Sequence, residues 1–171
     1  MPRINDLILL EFLRSKPLLT NGTSTLTDPA ALHEATLLSI LHEPLTSTVA
    51  ALLDLRTAMS LDLHHSNTGV LIMRGVHNLS LKCPRHGLPE VWLIGDYDIS
   101  RNDQGVTVNI HGILGSELLI VFADAVEIIA GLVNGIGEVA DTIDANDIGN
   151  YLRTIPHWES DIQLMSRVII K

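Results

Sequence analysis

Residues Thr68–Lys82, TGVLIMRGVHNLSLK, constrain the fold more than any other stretch of the chain. Two short apolar runs, Val70–Met73 and Leu79–Leu81, are joined through Arg74, Gly75, Val76, His77 and Asn78. Runs this short, rich in Val, Ile and Leu and broken by Gly and Asn, specify strands with a bend rather than a helix. Further strand-like runs flank the stretch on both sides, which places it in the middle of an antiparallel sheet.

Upstream, Thr48–Thr57 alternates with a period of two, Val49, Ala51, Leu53 and Leu55 against their neighbours. Glu43–Ser47 contains Pro44 and reads as a turn, so Glu34–Leu41 is predicted to be the partner strand and Glu34–Thr57 a hairpin. Downstream, Glu90–Ile99, Val106–Ile110, Glu117–Phe122 and Val126–Ile129 read as strands, with Trp92, Ile94, Asp96 and Asp98 expected on one face. Two segments read as helix. Arg3–Ser15 is apolar on most sides and ends at Lys16-Pro17; Ile148, Tyr151, Leu152 and Ile155 recur at helical spacing before Pro156. Asp161–Ile170 is expected to be a last strand or extended arm.

The expected fold class is therefore α+β, mainly antiparallel β: a curved sheet, or a partly open barrel or sandwich, with an N-terminal and a C-terminal helix. One domain is expected over residues 1–171, with a helix in 1–17, a sheet core in 32–131, and a helix and arm in 132–171. Val49, Leu53, Leu55, Val70, Ile72, Leu79, Leu81, Val108, Ile120 and Phe122 are the predicted core. With 46% hydrophobic and 18% charged residues the chain is composed as a packed globule.

Charge narrows the function classes. The formal net charge of −9 repels phosphate, so nucleic acid is not an expected partner, whereas a basic protein is. No apolar run reaches the length that crosses a bilayer, and Leu7–Leu10 lacks the features of a secretory signal. A single cysteine, Cys83, leaves no internal disulfide and fits a reducing compartment, so the expected location is cytoplasmic.

The order of elements carries a resemblance. Leu32-His33-Glu34-Ala35, a hairpin, the run Val70–Leu81, Gly115–Phe122 and Val126–Ile129 together resemble small bacterial β-sheet domain families of unassigned function. Relatives of those families include immunity proteins that neutralise polymorphic toxins. The resemblance spans about residues 32–131 and implies a protein-binding role with no catalytic residues to carry over.

Several polar groupings are candidates for chemistry. Asp62, His64 and His65 form the densest His/Asp cluster, but adjacent residues of an extended chain point to opposite faces and cannot share one ion. Cys83 and His86 lack the further ligands of a zinc site, and a solvated loop accounts for them. Gly131–Gly137 has neither the spacing nor the Lys-Ser/Thr of a phosphate cradle, and Gly115-Ser116-Glu117 is not a hydrolase elbow. No metal, cofactor or catalytic residue is expected.

What remains is an acidic, aromatic surface: Glu90, Trp92, Asp96, Asp98 and Asp103 as partner-binding residues, with His33, Glu34 and His111 as a possible polar site. The leading expectation is a non-enzymatic binding domain, of immunity or accessory type, that meets a basic protein through an acidic sheet face. One alternative is a small hydrolase-like enzyme assembled from His33, Asp96, Asp98 and His111. Another is a structural subunit that forms a homodimer through the Leu7–Leu13 helix.

Overall fold

Gly75 divides the central stretch between two halves of a sheet in the computed structural model of the chain, which describes residues 1–8, 28, 30–58, 66–82, 92–113, 115, 118–136 and 154–171. The described residues form nine strands: β1 (Thr36–Glu43), β2 (Thr48–Asp54), β3 (Thr68–Arg74), β4 (Asn78–Lys82), β5 (Trp92–Asn102), β6 (Gly105–Gly112), β7 (Leu118–Ala123), β8 (Ala125–Val133) and β9 (Ile162–Ile170). All pair antiparallel, in the order β4-β7-β6-β5-β1-β2-β3-β8-β9. The predicted hairpin is β1–β2, paired from Thr36–Asp54 to Glu43–Thr48.

Only two rungs, Thr36–Leu93 and Leu37–Trp92, join β1 to β5. There the sheet folds, and its halves enclose one core. The first half is β1, β2, β3, β8 and β9; the second is β5, β6, β7 and β4. Inward side chains of both, among them Val49, Leu53, Leu71, Val108, Val121 and Ile128, meet in a single cluster.

Two corners carry the chain between the halves, and each depends on the other. Gly75 adopts φ +64°, which turns β3 into β4, and Asp124 separates β7 from β8. The Asp124 amide donates to the carbonyls of Arg74 (3.0 Å) and Gly75 (3.2 Å). A side chain at Gly75 would overlap the Asp124 carboxylate, so close approach as well as the positive φ requires glycine there. His77 completes the joint: its amide donates to Phe122 O (2.8 Å) and its Nε2 lies 2.7 Å from Asp124 Oδ1. As a result β3 lies inside the sheet, between β2 and β8, while β4 is an edge strand of the other half.

The α+β expectation is corrected: the described residues are nearly all antiparallel sheet, with no helix of seven or more residues. Among the described residues of the predicted N-terminal helix, Ile4–Ile8 forms a 3-10 helix. The reason lies in its hydrogen bonds. Ile4 N donates to Ser160 O (2.9 Å) and Asn5 N to Trp158 O (2.8 Å), while Pro2 O accepts from Ile162 N (3.0 Å). Pairing with the 158–162 segment holds the entry to this turn. Ile4, Leu7 and Ile8 are buried on the outer face of the first half, against Ala50, Leu52, Val70, Ile72 and Ile129. Leu7 is thus spent inside its own chain; Leu9–Leu13, the rest of the predicted dimer helix, lies outside the described residues. Of the predicted C-terminal helix, Ile155 is described, in a bend rather than a helix, and Ile148–Leu152 lies outside.

This cover explains why β2 is buried at every position and not only at the alternating Val49, Ala51 and Leu53. Of the predicted core, Val49, Leu53, Leu55, Val70, Ile72 and Val108 are buried. Leu79 is partly buried against the core, whereas Leu81 on edge strand β4 is 47% exposed. In β7 the register is opposite to the predicted one: Leu119, Val121 and Ala123 point inward, and Ile120 and Phe122 outward.

Candidate functional site

The outer face of the second half is built by three cross-strand rows. Asp96 on β5 pairs with His111 on β6, which pairs with Leu118 on β7 and then Lys82 on β4. The next row is Asp98, Asn109, Ile120 and Ser80, and the third is Ser100, Thr107, Phe122 and Asn78. Directly paired residues share a face, so these twelve side chains lie on the side opposite Val108, Ile110, Leu119 and Val121. Asp96, Asp98 and His111 are exposed, and the β7 row of Leu118, Ile120 and Phe122 is half-buried. Neighbouring strands lie about 4.8 Å apart, so the carboxylates stand about 10 Å from the apolar row.

The predicted acidic set does not all fall here. A register shift between Ile94 and Asp96, at Gly95, breaks the alternation of β5. Ile94 and Tyr97 enter the core, Trp92 packs against it, and Asp96 and Asp98 point out. Trp92 is therefore not on the acidic face, contrary to the predicted period of two. Gly95 permits the shift because a side chain there would meet the backbone of Ile113. Asp103 is exposed in the β5–β6 turn, five residues beyond Asp98 and so about 17 Å along the strand. Glu90 lies outside the described residues, as do Asp62, His64, His65, Cys83, His86, Ser116, Glu117 and Gly137.

His33 and Glu34 serve the seam between the halves. His33 Nδ1–H donates to Gly95 O at 2.9 Å. Glu34, held at φ +65°, donates its amide to Ile94 O (2.8 Å) and accepts from the Thr57 hydroxyl (2.6 Å), while Ile94 N returns a bond to Ala35 O (2.9 Å). These bonds extend the two-rung pairing of β1 and β5. His33 is occupied with backbone and His111 lies on the open face, so the four residues of the hydrolase-like reading do not form a shared catalytic hydrogen-bond set. Among the described residues no group of three or more His, Cys, Asp or Glu is arranged to hold a metal ion.

Two ion-pair clusters escaped the sequence reading. Asp54, fully buried at the end of β2, accepts from Arg56 through N (3.1 Å), Nε (2.9 Å) and Nη2 (2.6 Å). On the outer face of the first half, Glu127 pairs with both Arg167 and Arg74, the latter at 3.7 Å. Arg74 also donates to Ile8 O (2.9 Å) and Leu7 O (3.3 Å), which fixes the N-terminal 3-10 helix. Burial lowers the pKa of Arg74, Glu127 opposes that shift, and Arg167 adds to it. The available signal was a lone carboxylate inside an apolar run, Leu53-Asp54-Leu55 and Val126-Glu127-Ile128, which needs a cationic partner if it is to be buried.

Compared with protein-family models, with curated proteins and with solved structures, the chain finds no match. Among the described residues no helix is long and apolar enough to cross a membrane.

Proposed function

We propose that the chain is a non-enzymatic binding domain, of immunity or accessory type, that meets a basic protein partner across the outer face of β5, β6, β7 and β4. The supporting observation is the composition of that face. Exposed Asp96 and Asp98 flank a half-buried apolar row of Leu118, Ile120 and Phe122, whereas the outer face of the first half is covered by Ile4, Leu7 and Ile8. An apolar strip beside charged residues is the layout of a protein interface, the strip supplying desolvation and the charges supplying orientation and encounter rate. The net charge of −9 acts in the same direction over longer range.

The test is association kinetics with the cognate basic partner, measured from low to high salt. Asp96→Asn with Asp98→Asn is expected to slow association about tenfold or more at low salt and to flatten its salt dependence, because charge steering works over a Debye length of about 8 Å at physiological ionic strength. Both residues are exposed, so thermal stability should be unchanged or slightly higher. An association rate indifferent to salt and to the double substitution would remove the acidic face from the reading.

A further inference from the structure

Asn134 and Gly135 form the exposed turn in which β8 ends, in the first half of the sheet and apart from the acidic face. Gly135 takes φ +85°, the left-handed region that favours glycine in a turn. A Cβ built on Gly135 would meet nothing within 4 Å, so the space on that side of its backbone is open. Among the described residues neither the Asn134 side chain nor the Gly135 amide has a hydrogen-bond partner.

An asparagine followed by glycine holds an electrophile beside a nucleophile. The side-chain amide carbon and the next backbone nitrogen are spaced to close a five-membered ring. Glycine has no side chain to crowd that nitrogen and lets the backbone turn as the ring closes. The other described asparagines are committed elsewhere. Asn67 donates to Val133 O (2.9 Å) and accepts from Val133 N (2.8 Å), and Asn102 accepts from Gln104 N (2.8 Å). Asn78 and Asn109 precede Leu79 and Ile110, residues fixed in the β4–β7 and β6–β7 ladders. Asn5 precedes Asp6, whose amide donates to Arg3 O (3.0 Å).

We propose that Asn134 is a site of covalent self-modification, converting to aspartate and isoaspartate through a succinimide. Gly135 N attacks Asn134 Cγ and bonds to it. The Cγ–Nδ2 bond breaks, and Nδ2 leaves as ammonia with the proton lost from the Gly135 amide. Water then opens the ring. Opening at Cγ gives aspartate; opening at the main-chain carbonyl carbon gives isoaspartate, whose backbone runs through the side chain and is one carbon longer. No oxidant or reductant takes part. Both products place a new carboxylate in the turn. Because the Asn67 side chain holds the amide and the carbonyl of Val133, β8 stays anchored and the change falls on the turn that follows.

The test is ageing of the full chain at mildly alkaline pH in heavy-oxygen water, followed by peptide mapping with fragmentation that distinguishes isoaspartate from aspartate. Asn21-Gly22, the same dipeptide outside the described residues, falls in a different tryptic peptide and is scored separately. A synthetic peptide of residues 131–136 sets the unrestrained rate. Asn134 is expected to convert within severalfold of that rate, ahead of every other described asparagine, with heavy oxygen incorporated and isoaspartate the larger product. Gly135→Ala, which crowds the attacking nitrogen, should slow the conversion several-fold. Asn134→Gln keeps the turn glycine but would have to close a larger ring, and should leave position 134 unmodified over the same period. An intact Asn134 in the folded chain after the peptide has converted would overturn the proposal. So would aspartate as the sole product, or an unchanged rate in Gly135→Ala.

Discussion

Tyr97 carries a hydroxyl into the core and finds no hydrogen-bond partner for it among the described residues. An unpaired buried hydroxyl costs about 1–3 kcal/mol, so Tyr97→Phe is expected to leave stability unchanged or raise it at pH 7; urea denaturation measures this. Burial and, second, the neighbouring Asp98 push the phenol's pKa above its ordinary value of 10.0. A folded-state pKa above the unfolded one means that the stability tied to this group is fully present below pH of about 10 and is lost as pH rises beyond it. The alkaline fall in stability should therefore be shallower in Tyr97→Phe; a slope identical to the wild type would show that Tyr97 does not set it. Glu127 presents the opposite case. Its side chain is 5% exposed and holds Arg74 and Arg167, at 17% and 15%. Glu127→Gln leaves two guanidinium groups beside one another without their carboxylate. The expected loss is about 2–3 kcal/mol, below the range for a fully buried pair because both arginines keep some solvent. A loss under about 0.5 kcal/mol in the same measurement would mean that water replaces Glu127.

Among the elements, β2, β3 and the β1–β2 hairpin were legible because apolar runs of strand length were bounded by Pro44 and Gly75. The acidic strand β5 was legible as a strand but not in register. Trp92, Ile94, Asp96 and Asp98 alternate perfectly in sequence, and the shift at Gly95 moves the last two to the other face. A glycine inside a strand pattern is the mark of such a shift or of a close backbone approach, and here it is both. In β7 no pattern existed to read: all six residues, Leu118–Ala123, are apolar, and small Ala123 faces in while Phe122 faces out. The N-terminal segment misled for a different reason. Its apolar residues fit a helix, but its amides bond to Trp158 and Ser160, partners that local sequence does not reveal. The Gly75–Asp124 corner gives the prediction at this scale. Gly75→Ala should cost about 2–4 kcal/mol, from a left-handed backbone and from overlap with the Asp124 carboxylate. Adding Asp124→Ala should return part of that loss, since only the overlap is relieved. A double-mutant cycle with no coupling would show that the corners do not depend on one another.

At the scale of the whole molecule, the residues predicted as one surface are dispersed: Asp96 and Asp98 lie exposed on the outer face of β5, Asp103 is at the far end of the hairpin, and His33 and Glu34 belong to the seam. Composition gave the sign of the charge but not its placement, because placement depends on pairings between strands far apart in sequence. Those pairings also set an order of assembly. The Arg3–Glu159 contact spans 156 positions, and the amides of Ile4 and Asn5 find their acceptors only in residues 158–160. On a ribosome, Ile4, Leu7 and Ile8 would leave the exit tunnel well before the carbonyls that receive them are made. The strands they cover also wait, since β3 completes its ladder only when β8 has been synthesised. Long-range pairing of this kind folds slowly. During translation the nascent chain would carry an uncovered Leu52, Val70 and Ile72 surface, the kind of segment that a chaperone holds until the last strand arrives.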